Sequence, residues 1–154
     1  MNGFFIIEFW QLILALALGL AIGTERTFAG KTVGMRTFAL VSLGSCLLVI
    51  ISNLVIEQTA SLVGPNGLDP LRLAAGIVTG VGFLGAGMIF HPANSSDDRV
   101  SGLTSAAGLW VASAVGVAVG FNLYVVAIFA TALTLLTFAG LIAVENSIKR
   151  HIPH

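Results

Sequence analysis

Ionisable side chains are scarce in this sequence and sit where chemistry is easy to look for. Only 9% of the 154 residues are charged, far below the roughly 25% of an ordinary soluble domain. The segment "GLAIGTERTFAGKTVGMRT" places Glu25 and Arg26 at the end of an apolar run, then Lys31, Arg36 and Thr37 just beyond it. "GLDPLR" places Asp69 and Arg72 at the start of another, and "HPANSSDDRVSGLTS" brings His91, Asp97, Asp98, Arg99, Thr104 and Ser105 into a third junction. At membrane depth such groups are expensive and are functional candidates by default.

Each has an ordinary reading beside the chemical one. On a helix of about 100° per residue, Arg26 shares a face with Gly23, Gly19, Ala15 and Glu8, so it either points into a helix bundle or snorkels to the interface. Asp69 before Pro70 is a helix N-cap signal, and the same carboxylate is placed to pair with Arg72 or to receive a cation. One carboxylate is thin for Mg²⁺, which keeps several waters and takes one or two carboxylates. The helix starts near Thr37 and Thr104, with Arg26, Lys31, Arg36 and Arg99 nearby, resemble an anion cradle. Asp97 and Asp98 read as a solvated pair. The sequence has no HExxH, nucleophile elbow or Walker loop, and no nucleophile can be paired with a base, so an enzyme is not expected.

The elements that must position these residues are membrane helices. Uncharged apolar runs cover 9–24, 37–56, 73–90, 102–120 and 123–144, each close to the roughly 20 residues that cross a bilayer. They are continuous rather than alternating, which favours helices over a barrel. The expected fold is an all-α integral membrane protein with five spans in one domain, 1–154, with no removable signal peptide. Six of the seven Lys/Arg (all but Arg72) fall on one side, which the positive-inside rule makes cytoplasmic. The N-terminus is then outside and the C-terminus inside. Net charge is zero, and no nucleic-acid partner or cofactor is evident. Cys46, the single cysteine, reads as a small packing residue.

Glycine is the other signal. "GIVTGVGFLGAGMIF" puts Gly76, Gly80 and Gly87 in one sector of a helix and Gly82 and Gly85 roughly opposite. Small residues at such spacing let backbones approach in lipid. Gly19 and Gly23 repeat the device in the first span, and Gly116 and Gly120 in the fourth, where Trp110 is the one large exception. The expectation is a third helix packed between two neighbours, an inner cluster of spans one, three and four, and second and fifth spans turned more to lipid. A kinked or backbone-lined ion path is the sharper alternative. "GMRTFALVSLG" and "GLTSAAGLWVASAVG" further hint at a parallel repeat of two hairpins.

Taken together, "GTERTFAGKTVGMRT", "DPLRLAAGIVTGVGFLGAGMIF" and "GLTSAAGLWVASAVGVAVG" resemble the MgtC/SapB family of bacterial inner-membrane proteins, in the same order along nearly the whole chain. The motif positions are Glu25, Arg26, Gly34, Arg36, Thr37, Asp69, Arg72, Gly80, Gly82, Gly85, Gly87, Gly102, Thr104 and Trp110. Val81 and Ser105 depart from the usual isoleucine and threonine. Longer members continue into a cytoplasmic ACT-like domain that this sequence does not contain. The resemblance implies a bacterial inner-membrane location and a role linked to low Mg²⁺ and, in pathogens, to survival in host cells. Two functions compete: a regulator acting through helix contacts with itself, as a dimer, or with another membrane complex, and a transporter or channel for Mg²⁺, another cation or an anion.

Overall fold

The computed structural model describes residues 2–63, 69–89 and 102–149, and side chains over a subset of these. Five helices follow in order: α1 (Asn2–Phe28), α2 (Met35–Val63), α3 (Pro70–Ile89), α4 (Leu103–Gly120) and α5 (Tyr124–Lys149). No strand occurs among the described residues. Helices α1 to α4 are each long and apolar enough to cross a membrane, and α5 carries an apolar stretch over Tyr124–Gly140.

Several helices outrun their apolar sequence. α1 continues through Glu25 and Arg26 to Phe28, and α2 through Glu57 to Val63, because i to i−4 backbone bonding does not stop where the hydrocarbon does. The turn between α4 and α5 is tight: Asn122 takes φ 63°, a left-handed conformation that Asn tolerates better than most residues.

The core lies among α1, α2 and α4, and this corrects the expected cluster of spans one, three and four. α2 is gripped from two sides by the glycine pairs of its neighbours. A Cβ on Gly19 would sit 2.7 Å from the Phe38 carbonyl oxygen, and one on Gly23 would sit 2.5 Å from Met35 Cα. From the other side, a Cβ on Gly116 would collide with the Ser42 carbonyl oxygen, and one on Gly120 would lie 2.7 Å from Val49 Cβ. Polar ties cross the same seams. Ser42 Oγ donates to the Ala15 carbonyl at 2.8 Å, and the Ser45 and Ser113 hydroxyls lie 2.9 Å apart. In lipid, close packing and interhelical hydrogen bonds are what hold helices together.

α3 is peripheral, packing on α4 and less extensively on α2. The expectation of a helix packed on both smooth sides does not hold within one chain. Gly85 meets Ala106 of α4, whereas among the described residues a Cβ on Gly76, Gly80, Gly82 or Gly87 would meet nothing within 4 Å. Trp110 is half-exposed rather than packed inside the bundle. α5 covers α4 and α1 with one face and leaves Val125, Val126, Phe129, Leu133 and Leu136 exposed on the other.

Candidate functional site

The sequence-derived candidates divide by where the helices put them. Arg26 is 2% exposed, on the face of α1 that also buries Ala15, Gly19 and Gly23. Its Nε and Nη2 both bond the neighbouring Glu25 carboxylate, at 2.5 and 3.0 Å, and this is the one ion pair among the described residues. A planar guanidinium presents two parallel donors to a carboxylate, a geometry that a lysine ammonium cannot reproduce.

The other face of the guanidinium is held by α5. Its central carbon lies 3.8 Å from the centroid of the Phe138 ring, within cation–π range. Phe138 reaches that position because α4 has no side chain at Gly108, where a Cβ would lie 2.5 Å from Phe138 Cζ and 3.2 Å from Phe38 Cε1. Residues of four helices thus form a chain of contacts: Arg26 of α1 pairs with Glu25 and stacks on Phe138 of α5, and Phe138 in turn fills the space at Gly108 of α4 next to Phe38 of α2. Neither Gly108 nor Phe138 stood out in the sequence. Their relation to Arg26 is purely tertiary.

Arg36, Thr37 and Thr104 do not join this cluster. All three are exposed, and among the described residues their side chains make no hydrogen bond. Instead Thr27 caps α2, its hydroxyl accepting from the Met35 amide at 3.0 Å. α4 starts at Gly102, φ 91°, without a side-chain cap. The anion cradle is therefore not assembled from the described groups; Arg99, His91, Asp97 and Asp98 lie outside the described residues. The two hairpins do share one feature: a glycine before the second helix closes on the end of the first, Gly34 against Thr27 and Gly102 against the Met88 carbonyl.

Asp69 and Arg72 are exposed at the opposite end from Arg26. Asp69 accepts from the Leu71 amide at 2.9 Å and so caps α3, without an ion pair to Arg72 or Arg26.

At that same end lies a cavity of about 130 Å³ with a mainly apolar wall, lined by Ile7, Glu8, Gln11, Ile50, Asn53, Leu54, Glu57, Gly120 and Asn122. Gln11 is 3% exposed; its Nε2 donates to the Val119 carbonyl at 3.1 Å and to Asn122 Oδ1 at 2.9 Å. Asn122 Oδ1 also accepts from the Tyr124 hydroxyl at 2.7 Å. Of this set the sequence singled out Glu8, as a charged candidate, and Gly120, as a packing glycine. A usable signal existed, since Gln11 and Asn53 are amides inside otherwise apolar runs, and buried amides need partners.

Long apolar helices, glycine-mediated packing and a buried arginine–glutamate pair define a polytopic all-α membrane protein. The chain belongs to the MgtC family, whose model matches residues 12–147. Similar proteins include "Protein SrpB" of Synechococcus elongatus, 41% identical over 135 residues, covering 85% of this chain and 72% of that protein. "Putative magnesium transporter YhiD" of Escherichia coli K12 is 43% identical over 126 residues, covering 82% of this chain and 56% of YhiD. "Protein SapB" of Bacillus subtilis is 38% identical over 118 residues, covering 74% and 47% respectively. The chain thus spans about half the length of several relatives it matches. No solved structure matches it.

Proposed function

We propose that the protein is a regulatory membrane protein of the MgtC/SapB type, seated in the bacterial inner membrane with its N-terminus outside. In this reading it acts through helix contacts of α3 with a second copy of itself or with another membrane complex. The observation that carries the proposal is a contrast between glycines. The pairs on α1 and α4 are filled by α2, while Gly76, Gly80 and Gly87 on one face of α3 have no neighbour within 4 Å among the described residues. Phe83 falls on that same face by helical spacing and is 80% exposed. A ring projecting from a groove of glycines is a knob beside a hole, a shape that suits self-association about a twofold axis.

A second reading, transport of Mg²⁺ or another ion, draws support from the printed name of YhiD and from the buried Arg26–Glu25 pair. Against it, among the described residues Gly76, Gly80, Gly82 and Gly87 of α3 have no neighbour within 4 Å in a single copy, and only Gly85 approaches α4.

The two readings separate in lipid. Gly80→Leu leaves a folded monomer in the regulatory reading but lowers the number of chains per particle in nanodiscs, counted by photobleaching. An unchanged count in a wild-type dimer, or a monomeric wild type, contradicts self-association. Mg²⁺ flux in liposomes that Arg26→Gln abolishes in a folded protein would favour transport.

A further inference from the structure

We propose that the occupant of the open α3 face is a second copy of this chain, set parallel to the first and held in register by reciprocal Asp69–Arg72 ion pairs. The inference rests on the reading of α3 as an interface and goes beyond it by naming the occupant, its direction and its polar contacts.

The face is more than its glycines. At about 100° per residue, Asp69, Arg72, Gly76, Gly80, Phe83 and Gly87 fall within a sector of about 80°. The first turn keeps Asp69 on that wheel, because its carbonyl accepts from the Arg72 amide at 3.1 Å. Ile77, Val81 and Gly85 are buried on other sides of the helix. One exposed sector therefore carries a carboxylate, a guanidinium, three glycines and a ring that is 80% exposed.

Within one copy the two charges do not use each other. Asp69 caps α3 through the Leu71 amide, and neither Asp69 nor Arg72 forms an ion pair among the described residues. Both side chains are exposed. An anion and a cation side by side make a patch that is complementary to a copy of itself turned about a twofold axis, which is the condition for an isologous interface.

The bilayer fixes the direction. Every copy inserts with the same end outward, so two α3 helices that meet run parallel and bring equal depths together. Asp69 and Arg72 differ by about 4.5 Å of helical rise, and a parallel pair sets each Asp69 beside the partner's Arg72. Phe83 lies about 4.5 Å along the axis from Gly80 and about 6 Å from Gly87, so its ring falls on the gap those glycines leave in the second copy. Another membrane protein would have to present the same acid, base and ring in the same order, whereas a second copy carries them already. The ion pairs set register and partner choice more than affinity, because like charges opposed at this place are strongly unfavourable.

Two differently tagged copies, co-expressed and extracted into native-lipid nanodiscs, report pairing by co-purification. Asp69→Arg puts two cations on each copy and Arg72→Asp puts two acids, so each variant alone is expected to lose self-pairing at least about tenfold. Combining the two variants restores pairing to the wild-type level, and so does the exchange Asp69→Arg/Arg72→Asp within one chain. A lost helix cap or a folding defect is not repaired by an oppositely charged copy, so the restoration separates pairing from local damage. Asp69→Asn keeps a capping side chain without the charge; it stands in where Asp69→Arg fails to fold and is expected to weaken pairing. Charge variants that pair as wild type does, or that combination does not restore, overturn the inference, while loss of pairing in Gly80→Leu leaves the α3 interface standing. A wild type without pairs, or Gly80→Leu pairing as wild type does, overturns that interface and the ion pairs with it.

Discussion

The guanidinium of Arg26 and the ring of Phe138, on the first and last helices of the bundle, stack with 3.8 Å between cation and ring centroid. The contact joins α1 to α5 around a charge that is almost wholly buried. Removing one partner of a buried pair leaves an uncompensated charge and is strongly destabilising. Arg26→Gln is therefore expected to lower stability by about 3–5 kcal/mol, read as a lower thermal midpoint of the detergent-solubilised protein. Arg26→Lys should fall between it and wild type, since lysine keeps the charge but loses the two-pronged bond and the flat stack. A midpoint unchanged by Arg26→Gln would show that the pair holds nothing in place.

Gly108 and Phe138 should behave as one unit. A methyl at position 108 meets Phe138 Cζ at 2.5 Å, and overpacking of this kind usually destabilises by about 1–3 kcal/mol. Phe138→Leu alone loses the cation–π contact, on the order of 0.5–2 kcal/mol, together with packing area. The double variant Gly108→Ala/Phe138→Leu is expected to be more stable than the sum of the two single losses, because a smaller side chain relieves the clash. Additive losses in the double-mutant cycle would mean that the two residues do not share the space.

The glycines on α4 and on α3 should respond oppositely. Gly116→Ala drives a methyl into the Ser42 carbonyl of α2, a backbone atom that cannot swing aside, so the folded monomer is expected to lose about 1–3 kcal/mol. Gly76→Ala meets nothing within 4 Å among the described residues and should leave monomer stability unchanged or raised by up to about 1 kcal/mol through helix propensity. Denaturation in dilute detergent, where monomers dominate, compares the two.

Asn122 combines a backbone and a side-chain role. Its φ of 63° disfavours a β-carbon, and its Oδ1 accepts from both Gln11 and Tyr124. Asn122→Gly keeps the turn and loses the hydrogen bonds, whereas Asn122→Ala loses both. Alanine should be the more destabilised by about 1 kcal/mol. Equal thermal midpoints for the two variants would remove the backbone contribution.

Much of this architecture is visible in the residues themselves. Five apolar runs mark five helices, and the wheel that groups Ala15, Gly19, Gly23 and Arg26 picks out a face that is buried. What the wheel lacks is the identity of the neighbour. Gly19 and Gly116 announce close approach, but nothing in their spacing says that both close on Ser42 and its surroundings in α2. The same ambiguity made α3, richest in glycine, look central when it is peripheral. Phe138 is one of 10 phenylalanines and carries no local mark of its place under Arg26. Gln11 is separated from Asn53 and Glu57 by more than 40 residues of chain and meets them only because α1 and α2 run antiparallel. The capping role of Asp69 is legible because an N-cap is written in adjacent residues, whereas the pairing with Arg72 that the same spacing offered is not formed.

The central claim, that the open α3 face is an interface, is tested most directly by cysteine cross-linking in native membranes. Cys46→Ala removes the single native thiol, and Gly80→Cys is compared with Leu133→Cys, an exposed mid-helix position on α5. Rapid oxidative dimer formation through Gly80→Cys, with little through Leu133→Cys, is the expected result if α3 meets α3. Cross-linking that is absent from Gly80→Cys, or equal at both positions, would contradict a self-association face on α3.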